Sequence, residues 1–485
     1  MHFIVKVFPE IIIKSPPVRK RFIRQLRDNL RRLLAPLSED IRIKRDWEKI
    51  EIEAPGADEQ LTLQVADVLG RTPGVDSFSL VHAYPLGDFD DILALTRRHW
   101  EAALKDNTFC VRVKRSGQHD FSSTDVERYV GGGLLKYSQA SGVRLRDPDI
   151  TVRLEIRRDT LYVVANQNAG LGGYPLGAQK DAVLSLVSGG FDSVVASYMT
   201  MKRGMRTHFC FFNLGGHAHE VAVKEISYYL WQKYGGSHYV KFVSVPFEGV
   251  VAEILEKVDN AYMGVILKRM MLRAATRVSE ELGLQALVTG ESVAQVSSQT
   301  LPNLSAIDRV TDALVLRPLI TMDKRDIIDL SRRIGTETYS ANVPEYCGVI
   351  SVRPTTAAKL DKVEHVEANF DFEVLEQALA QRVVTPVDHL ADSSEAMIDV
   401  NIETRVPDKA VVIDIRHPDE SALKPLALAA GNLLQIPFFK LNTEFARLDP
   451  QQHYLLYCEK GVMSQLHAAH LSDAGHANVS VYRPE

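Results

Sequence analysis

Two stretches of this chain combine the residue types and spacing that chemistry requires. The first is Ser188-Gly189-Gly190-Phe191-Asp192-Ser193, set between the apolar run Val183-Leu184-Ser185-Leu186-Val187 and a helical pattern that begins near Ser193. Glycines at such a turn let backbone N–H groups close on an anion, and the positive end of the following helix adds to the attraction, so the loop suits a phosphate or pyrophosphate. The Gly-Lys-Ser/Thr ending of a Walker loop is absent. Asp192 inside an anion cradle makes sense when a divalent cation bridges its carboxylate to phosphate oxygens. The second stretch is Tyr454-Leu455-Leu456-Tyr457, an apolar strand ending at Cys458-Glu459-Lys460-Gly461-Val462-Met463-Ser464 before another helix. A cysteine at a strand-to-helix turn has its sulfur ringed by loop N–H groups and the helix end, which stabilises a thiolate or persulfide anion. That is a nucleophile's position.

Both loops need frameworks, and 485 residues are enough for three or four domains. From Ala182 apolar strands alternate with helices (182–187, 207–214, 239–245, 286–289), which predicts a doubly wound parallel sheet under the first loop, over residues 176–395. Strands near 410–414, 454–457 and 479–481 predict a small parallel-sheet domain at 406–485. Ahead of these, residues 1–62 read as a small α+β unit, with strand 3–8, helix 18–34 and strands 41–44 and 49–52, and a helix near 62–69 follows at its boundary. Its long helix carries an apolar stripe (Phe22, Leu26, Leu30, Leu33, Leu34) with Arg24, Arg27, Arg31 and Arg32 elsewhere. Residues 63–168 form a further unit, in which Phe109-Cys110-Val111-Arg112-Val113-Lys114-Arg115 alternates as a strand and puts Arg112 and Lys114 on one face. Ser122-Ser123-Thr124-Asp125 caps a helix leading to Gly131-Gly132-Gly133, and 170–177 reads as a glycine-rich linker.

Charge is unevenly spread. Residues 1–50 hold 13 Lys and Arg against 6 Asp and Glu, whereas 361–400 hold 2 against 10. A basic front on a chain of net charge −5 points to a localised polyanion-binding surface. No stretch approaches the roughly 20 apolar residues that span a bilayer, and the amino terminus reads as a strand, not a leader. The expected address is the cytoplasm, with no membrane partner. The four cysteines, Cys110, Cys210, Cys347 and Cys458, include no Cys-x-x-Cys pair, which argues against a disulfide scaffold or a zinc knuckle. Cys110 and Cys210 sit in apolar strand patterns and are expected to be structural.

The Ser188–Ser193 loop resembles that of the pyrophosphate-loop ATPases, which cleave ATP between its α- and β-phosphates and adenylate an oxygen. The likeness extends to Lys268, to Thr289-Gly290-Glu291-Ser292 with Gln295 and Gln299, and to Lys324 in Arg317-Pro318-Leu319-Ile320-Thr321-Met322-Asp323-Lys324. It implies ATP with Mg2+ as cofactors, Leu186 and Val187 meeting adenine through the backbone, and Ser188, Gly189, Gly190, Asp192 and Ser193 forming the phosphate loop. It further implies that Lys268, Gly290 and Gln299 line the pocket, that Asp192 is the metal ligand, and that Lys324 stabilises charge during adenylation. The Cys458 segment resembles the rhodanese active loop, with Val412-Ile413-Asp414-Ile415-Arg416-His417-Pro418-Asp419-Glu420 and Gln435-Ile436-Pro437 as further landmarks. Met463 departs from the arginine common there, which favours sulfur delivered by a protein over free thiosulfate. The strand with Arg112, Lys114 and Arg115 resembles part of a THUMP RNA-binding domain, preceded by its ferredoxin-like companion.

In order, these four units resemble the tRNA 4-thiouridine synthetase family along essentially the whole chain. The resemblance implies adenylation of O4 of uridine 8 in tRNA and sulfur supplied by a Cys458 persulfide that a cysteine desulfurase loads. It also implies a Cys347–Cys458 disulfide as enzyme-bound product, and sulfur delivery to the carrier protein of thiamine thiazole synthesis. Transfer as persulfide or as released sulfide, the identity of the desulfurase and a homodimer all stay open. Two rival readings are an ATP-dependent amidating ligase, which the lack of a glutaminase-like domain opposes, and a non-catalytic RNA-binding or sulfur-relay protein, which the intact loop opposes.

Overall fold

The computed structural model describes the chain apart from residues 46–48, 215, 342, 344–352, 391–399, 408, 417–420, 422–424, 429–431, 459–463, 465, 466, 469, 470, 473 and 485. It forms two compact units, Met1–Ala178 with Lys202–Gly204, and Gln179–Met201 with Met205–Glu485. No helix among the described residues is long and apolar enough to cross a membrane.

The first unit is built on strands β1 (His2–Val7), β2 (Arg42–Arg45), β3 (Lys49–Glu53), β4 (Val75–Pro85), β5 (Thr108–Ser116), β6 (Gly142–Val143), β7 (Ile150–Arg157) and β8 (Thr160–Ala169). They form one sheet in the order β2-β3-β1-β4-β8-β7-β5-β6, so the two α+β units expected from sequence share a sheet through antiparallel β4–β8 pairing. Lys49 pairs with Glu155 at 3.2 Å and Arg157 with Glu51 at 2.7 Å, across strands that are not neighbours. A flat sheet would hold β3 and β7 about 19 Å apart, so this sheet curls. The helix Pro16–Leu34 buries Phe22, Ile23, Leu26, Leu30 and Leu34 against Phe3, Val5, Ile50 and Ile52. The helix Glu59–Arg71 runs through the expected break at 62/63, and its Val65, Val68 and Leu69 join that same core, so it belongs with the first unit's opening half.

Sequence periodicity did not separate out β4 or the helix Phe89–Leu104. The Ser122 cap is present, with Asp125 completing a capping box, but its helix continues through Gly131–Gly133 to Tyr137. A β-carbon at Gly133 would stand 2.3 Å from Leu93, so Gly133 serves close helix packing, and the three glycines do not end the helix. Nor is 170–177 a loose linker. Gly170 and Gly172 donate to the carbonyls of Asp76 and Val75, and Tyr174 is buried with the first core.

In the second unit β9 (Ala182–Leu186), β10 (Arg206–Asn213), β11 (Lys241–Pro246), β12 (Ala286–Val288), β13 (Leu314–Leu316) and β14 (Val383–Pro386) make a sheet ordered β13-β12-β9-β10-β11-β14. All pairings are parallel except the antiparallel edge β11–β14. From β9 the chain winds outward through β10 and β11, then returns to the other side for β12 and β13. The carboxyl ends of β9 and β12 therefore border the crevice where such sheets bind ligands. A separate parallel sheet, β15 (Ile402–Glu403), β16 (Val411–Asp414), β17 (Asn432–Gln435), β18 (Tyr454–Tyr457) and β19 (Val479–Tyr482), is ordered β15-β19-β18-β16-β17. It reverses between β16 and β18, which sets Cys458 at the corresponding place.

Candidate functional site

The Ser188–Ser193 loop leaves β9 at that crevice and enters the helix Phe191–Lys202, whose first turn carries Asp192. Ser193 ties the loop internally. Its Oγ donates to the carbonyl of Gly190 at 3.1 Å and accepts from the Ser188 N–H at 3.1 Å. Beneath the loop, Nε2 of buried His219 lies 3.1 Å from the Ser188 carbonyl, and burial pushes this imidazole down to about 4, so the neutral ring donates there. Gly189 has φ +82°, and a β-carbon on it would stand 2.9 Å from Val343. Val187 donates its N–H to the Cys210 carbonyl at 2.8 Å, which leaves only its carbonyl and side chain to meet a base.

Two segments from β12 and β13 close on Asp192. Gly290 packs so tightly on the loop that a β-carbon would lie 2.5 Å from the carbonyl carbon of Asp192 and 2.6 Å from the Ser193 nitrogen. Lys324, at the start of the helix Lys324–Ile334, places Nζ 2.7 Å from Asp192 Oδ1. Gln295 donates from Nε2 to Asp192 Oδ2 at 2.7 Å. Gln299 turns inward and accepts the Ser292 N–H on Oε1 at 3.3 Å. Lys268, on the helix Met263–Glu281, reaches Glu291 Oε1 at 2.6 Å.

Glu291 is the hub of a buried charge network. Its other oxygen accepts from Arg317 Nε at 2.7 Å and Thr289 Oγ1 at 3.0 Å, and Arg317 pairs in turn with Asp308. Burial alone would raise the Glu291 carboxyl, but Lys268 and Arg317 outweigh it and hold the group at about 2. The arrangement holds Lys268 on Glu291, the residue that follows Gly290.

At the other sheet, Cys458 is 7% exposed at the end of β18, and its Sγ accepts the Ser464 N–H at 3.3 Å with Ser464 Oγ at 3.5 Å. On neighbouring β16, Asp414 holds Arg416 by two hydrogen bonds of 2.9 and 2.7 Å, both side chains buried, with the guanidinium over the Tyr457 ring. Residues 417–420 and Met463 lie outside the described residues, as does Cys347. Cys110 and Cys210 are buried in strands, and burial pushes the Cys210 thiol up to about 12, which leaves it unreactive at neutral pH.

Residues 2–79 match the ThiI ferredoxin-like domain, 87–166 the THUMP domain, 177–372 the family described as thiamine biosynthesis protein (ThiI), and 401–483 the rhodanese-like domain. A tRNA sulfurtransferase of Saccharophagus degradans is 54% identical over 484 residues, covering 100% of both chains. One of Shewanella amazonensis is likewise 54% identical over 485 residues and 100% of both chains. The chain belongs to the tRNA sulfurtransferase family. The solved structure of a 4-thiouridine synthetase in complex with RNA, with ATP bound, matches with a TM-score of 0.70 and 26% identity, over 80% of this chain and 99% of that one.

Within this tRNA sulfurtransferase framework the structure gathers Ser188, Gly189, Gly190, Asp192, Ser193, Gly290 and Lys324 in one place, with Lys268 and Gln299 joined to it through Glu291 and Ser292. On β5, Arg112 and Lys114 are exposed on one face, and Arg112 Nη2 donates to the Leu145 carbonyl at 2.8 Å. Arg115 points the other way, against His119 at 2.9 Å and the Phe121 ring. Sequence reasoning gave no role to Glu291, Arg317 or His219. The only signal for them was a charge or imidazole in a segment otherwise reading as loop or strand end, which is too common to single out.

Proposed function

We propose that this chain is an ATP-dependent tRNA sulfurtransferase that converts uridine 8 to 4-thiouridine. The observation that carries the reading is the convergence of Lys324 and Asp192, 2.7 Å apart, at the mouth of the glycine loop on the sheet's switch point. A helix amino terminus, a glycine loop and two lysines suit a triphosphate. Asp192 is a single carboxylate, and no group of three His, Cys, Asp or Glu gathers around it among the described residues. Such a site fits Mg2+ that takes its other oxygens from phosphates and water. The cation would neutralise phosphate charge when bound. Uridine O4 attacks the α-phosphate and pyrophosphate leaves, with Lys324 stabilising the charge that develops.

Sulfur then reaches C4 from a Cys458 persulfide loaded by a cysteine desulfurase. The terminal sulfur bonds to C4 as AMP departs with the oxygen, and the Cys347 thiolate attacks Cys458 Sγ. That releases the thiouridine and leaves a Cys347–Cys458 disulfide for a cellular thiol to reduce. Ser464 N–H on Sγ supports the anionic sulfur this requires. Arg112, Lys114 and Arg115 contribute to tRNA contact, Arg115 from the opposite face of its strand. The same persulfide serves a thiazole sulfur-carrier protein, in the cytoplasm.

The test is thiolation of unmodified tRNA by the purified chain with ATP, Mg2+, cysteine and a desulfurase, read at the 4-thiouridine absorbance. Product with wild type and none with Cys458→Ala is expected. Equal product from both refutes the sulfur route, and no product from wild type refutes the activity.

A further inference from the structure

The carboxylate of Asp192 is held on both oxygens, by Lys324 on Oδ1 and by Gln295 on Oδ2, each at 2.7 Å. An ionised carboxylate only accepts, so the Gln295 amide must turn its NH2 toward it. The local backbone is shaped for this contact. Ala294 adopts φ +61°, a left-handed conformation costly for a residue with a β-carbon, and its N–H is tied to the Gln299 carbonyl at 3.0 Å. The preceding residues lean on the segment that ends at Lys324: Val293 donates to the Ile320 carbonyl at 3.0 Å and Ser292 Oγ to the Met322 carbonyl at 2.9 Å. The two donors thus come from two loops braced on one another.

Their charges differ, and so do the tasks open to them. Lys324 is 38% exposed in its side chain and carries a full charge that a triphosphate attracts. Once Lys324 turns to phosphate, Oδ1 loses its partner and the carboxylate is free to rotate, unless Oδ2 is still held. The Gln295 amide is neutral, so the phosphates draw it far less than they draw the Lys324 ammonium. Resting on the reading of Asp192 as the cation-binding carboxylate, we infer that Gln295 is a positioning residue: it anchors Oδ2 so that Oδ1 stays aimed at the cation–phosphate cluster when Lys324 moves off it.

The full-length protein is titrated with Mn2+ in the presence of α,β-methylene-ATP, following the loss of the free-ion electron paramagnetic resonance signal. The wild type is compared with Gln295→Ala and Asp192→Asn. Losing one hydrogen bond to a charged group should weaken Mn2+ binding by Gln295→Ala about tenfold, with melting temperature and analogue affinity in EDTA unchanged. Wild-type Mn2+ binding by Gln295→Ala, alongside its loss in Asp192→Asn, overturns the inference and leaves Asp192 as the ligand. Weakened analogue binding by Gln295→Ala in EDTA also overturns it, by making the amide a structural prop of the nucleotide pocket. Wild-type Mn2+ binding by Asp192→Asn instead refutes the underlying reading of the cation site.

Discussion

Replacing Glu291 with Gln would remove one negative charge from between two cations and change almost no volume. The residue is 6% exposed, and its carboxylate accepts from Lys268 at 2.6 Å and Arg317 at 2.7 Å. The amide has one acceptor oxygen, so its NH2 must confront one of the two cations. A carboxyl held at about 2, against 4.5 when exposed, corresponds to about 3 kcal/mol of folding stability at neutral pH. Breaking a buried ion pair from one side costs about 3–5 kcal/mol, which agrees. For a domain of this size that loss lowers the melting temperature by roughly 6–12 °C. Because the folded carboxyl sits below its unfolded value, this stability is complete above pH 4.5 and fades as pH falls toward 2. The wild-type advantage over Glu291→Gln is therefore flat through neutral pH and shrinks only in acid. The assay is thermal unfolding followed by Trp231 fluorescence, with Trp47 and Trp100 replaced by Phe so that one tryptophan of three remains, in the nucleotide-binding domain. Equal melting temperatures, or a gap that widens in acid, would refute the network argument.

Two further outcomes follow from the same loops. Gly290→Ala drives a methyl into the backbone of Asp192 and Ser193; a displacement of about an ångström at reacting groups costs about 100-fold. Its tRNA-dependent pyrophosphate release should drop by that order while tRNA affinity, measured by filter binding, holds; a near-normal rate would show that the loop yields. His219 is held neutral by burial, at about 4 against 6.5 when exposed, so the unfolded chain takes up its proton first. The stability it contributes is complete above pH 6.5 and is lost as pH falls toward 4. His219→Gln keeps a donor for the Ser188 carbonyl but cannot titrate, and denaturant titrations should give it a flatter slope across that range; identical slopes would count against a buried neutral imidazole.

The Ser188–Ser193 and Cys458 loops stand out in the sequence because their signals are local. Strand, glycines, Asp192 and the start of the helix lie within about a dozen residues, and Cys458 directly follows its strand. Local backbone chemistry decides such turns wherever the chain places them, and the alternation of strands and helices was enough to name the parallel sheets. The fusion of the first two units was not legible, since β4 finds β8 by pairing residues such as Val81 and Val164, far apart in sequence. Nothing in a single strand's pattern encodes its partner. Glycines misled for a related reason. Gly133 and Gly170 mark close approach by Leu93 and Val75, which belong to other segments.

Residue type and short-range order were enough to place a glycine loop between a strand and a helix, and a cysteine at the end of another strand. That Lys324 and Gln295, 132 and 103 positions from Asp192, share its carboxylate, and that Glu291 holds Lys268 in place, came from long-range packing. These contacts depend on β12 lying beside β9 with β13 next beyond it, and that order comes from the packing of the whole sheet, in which no window of residues sees its neighbour.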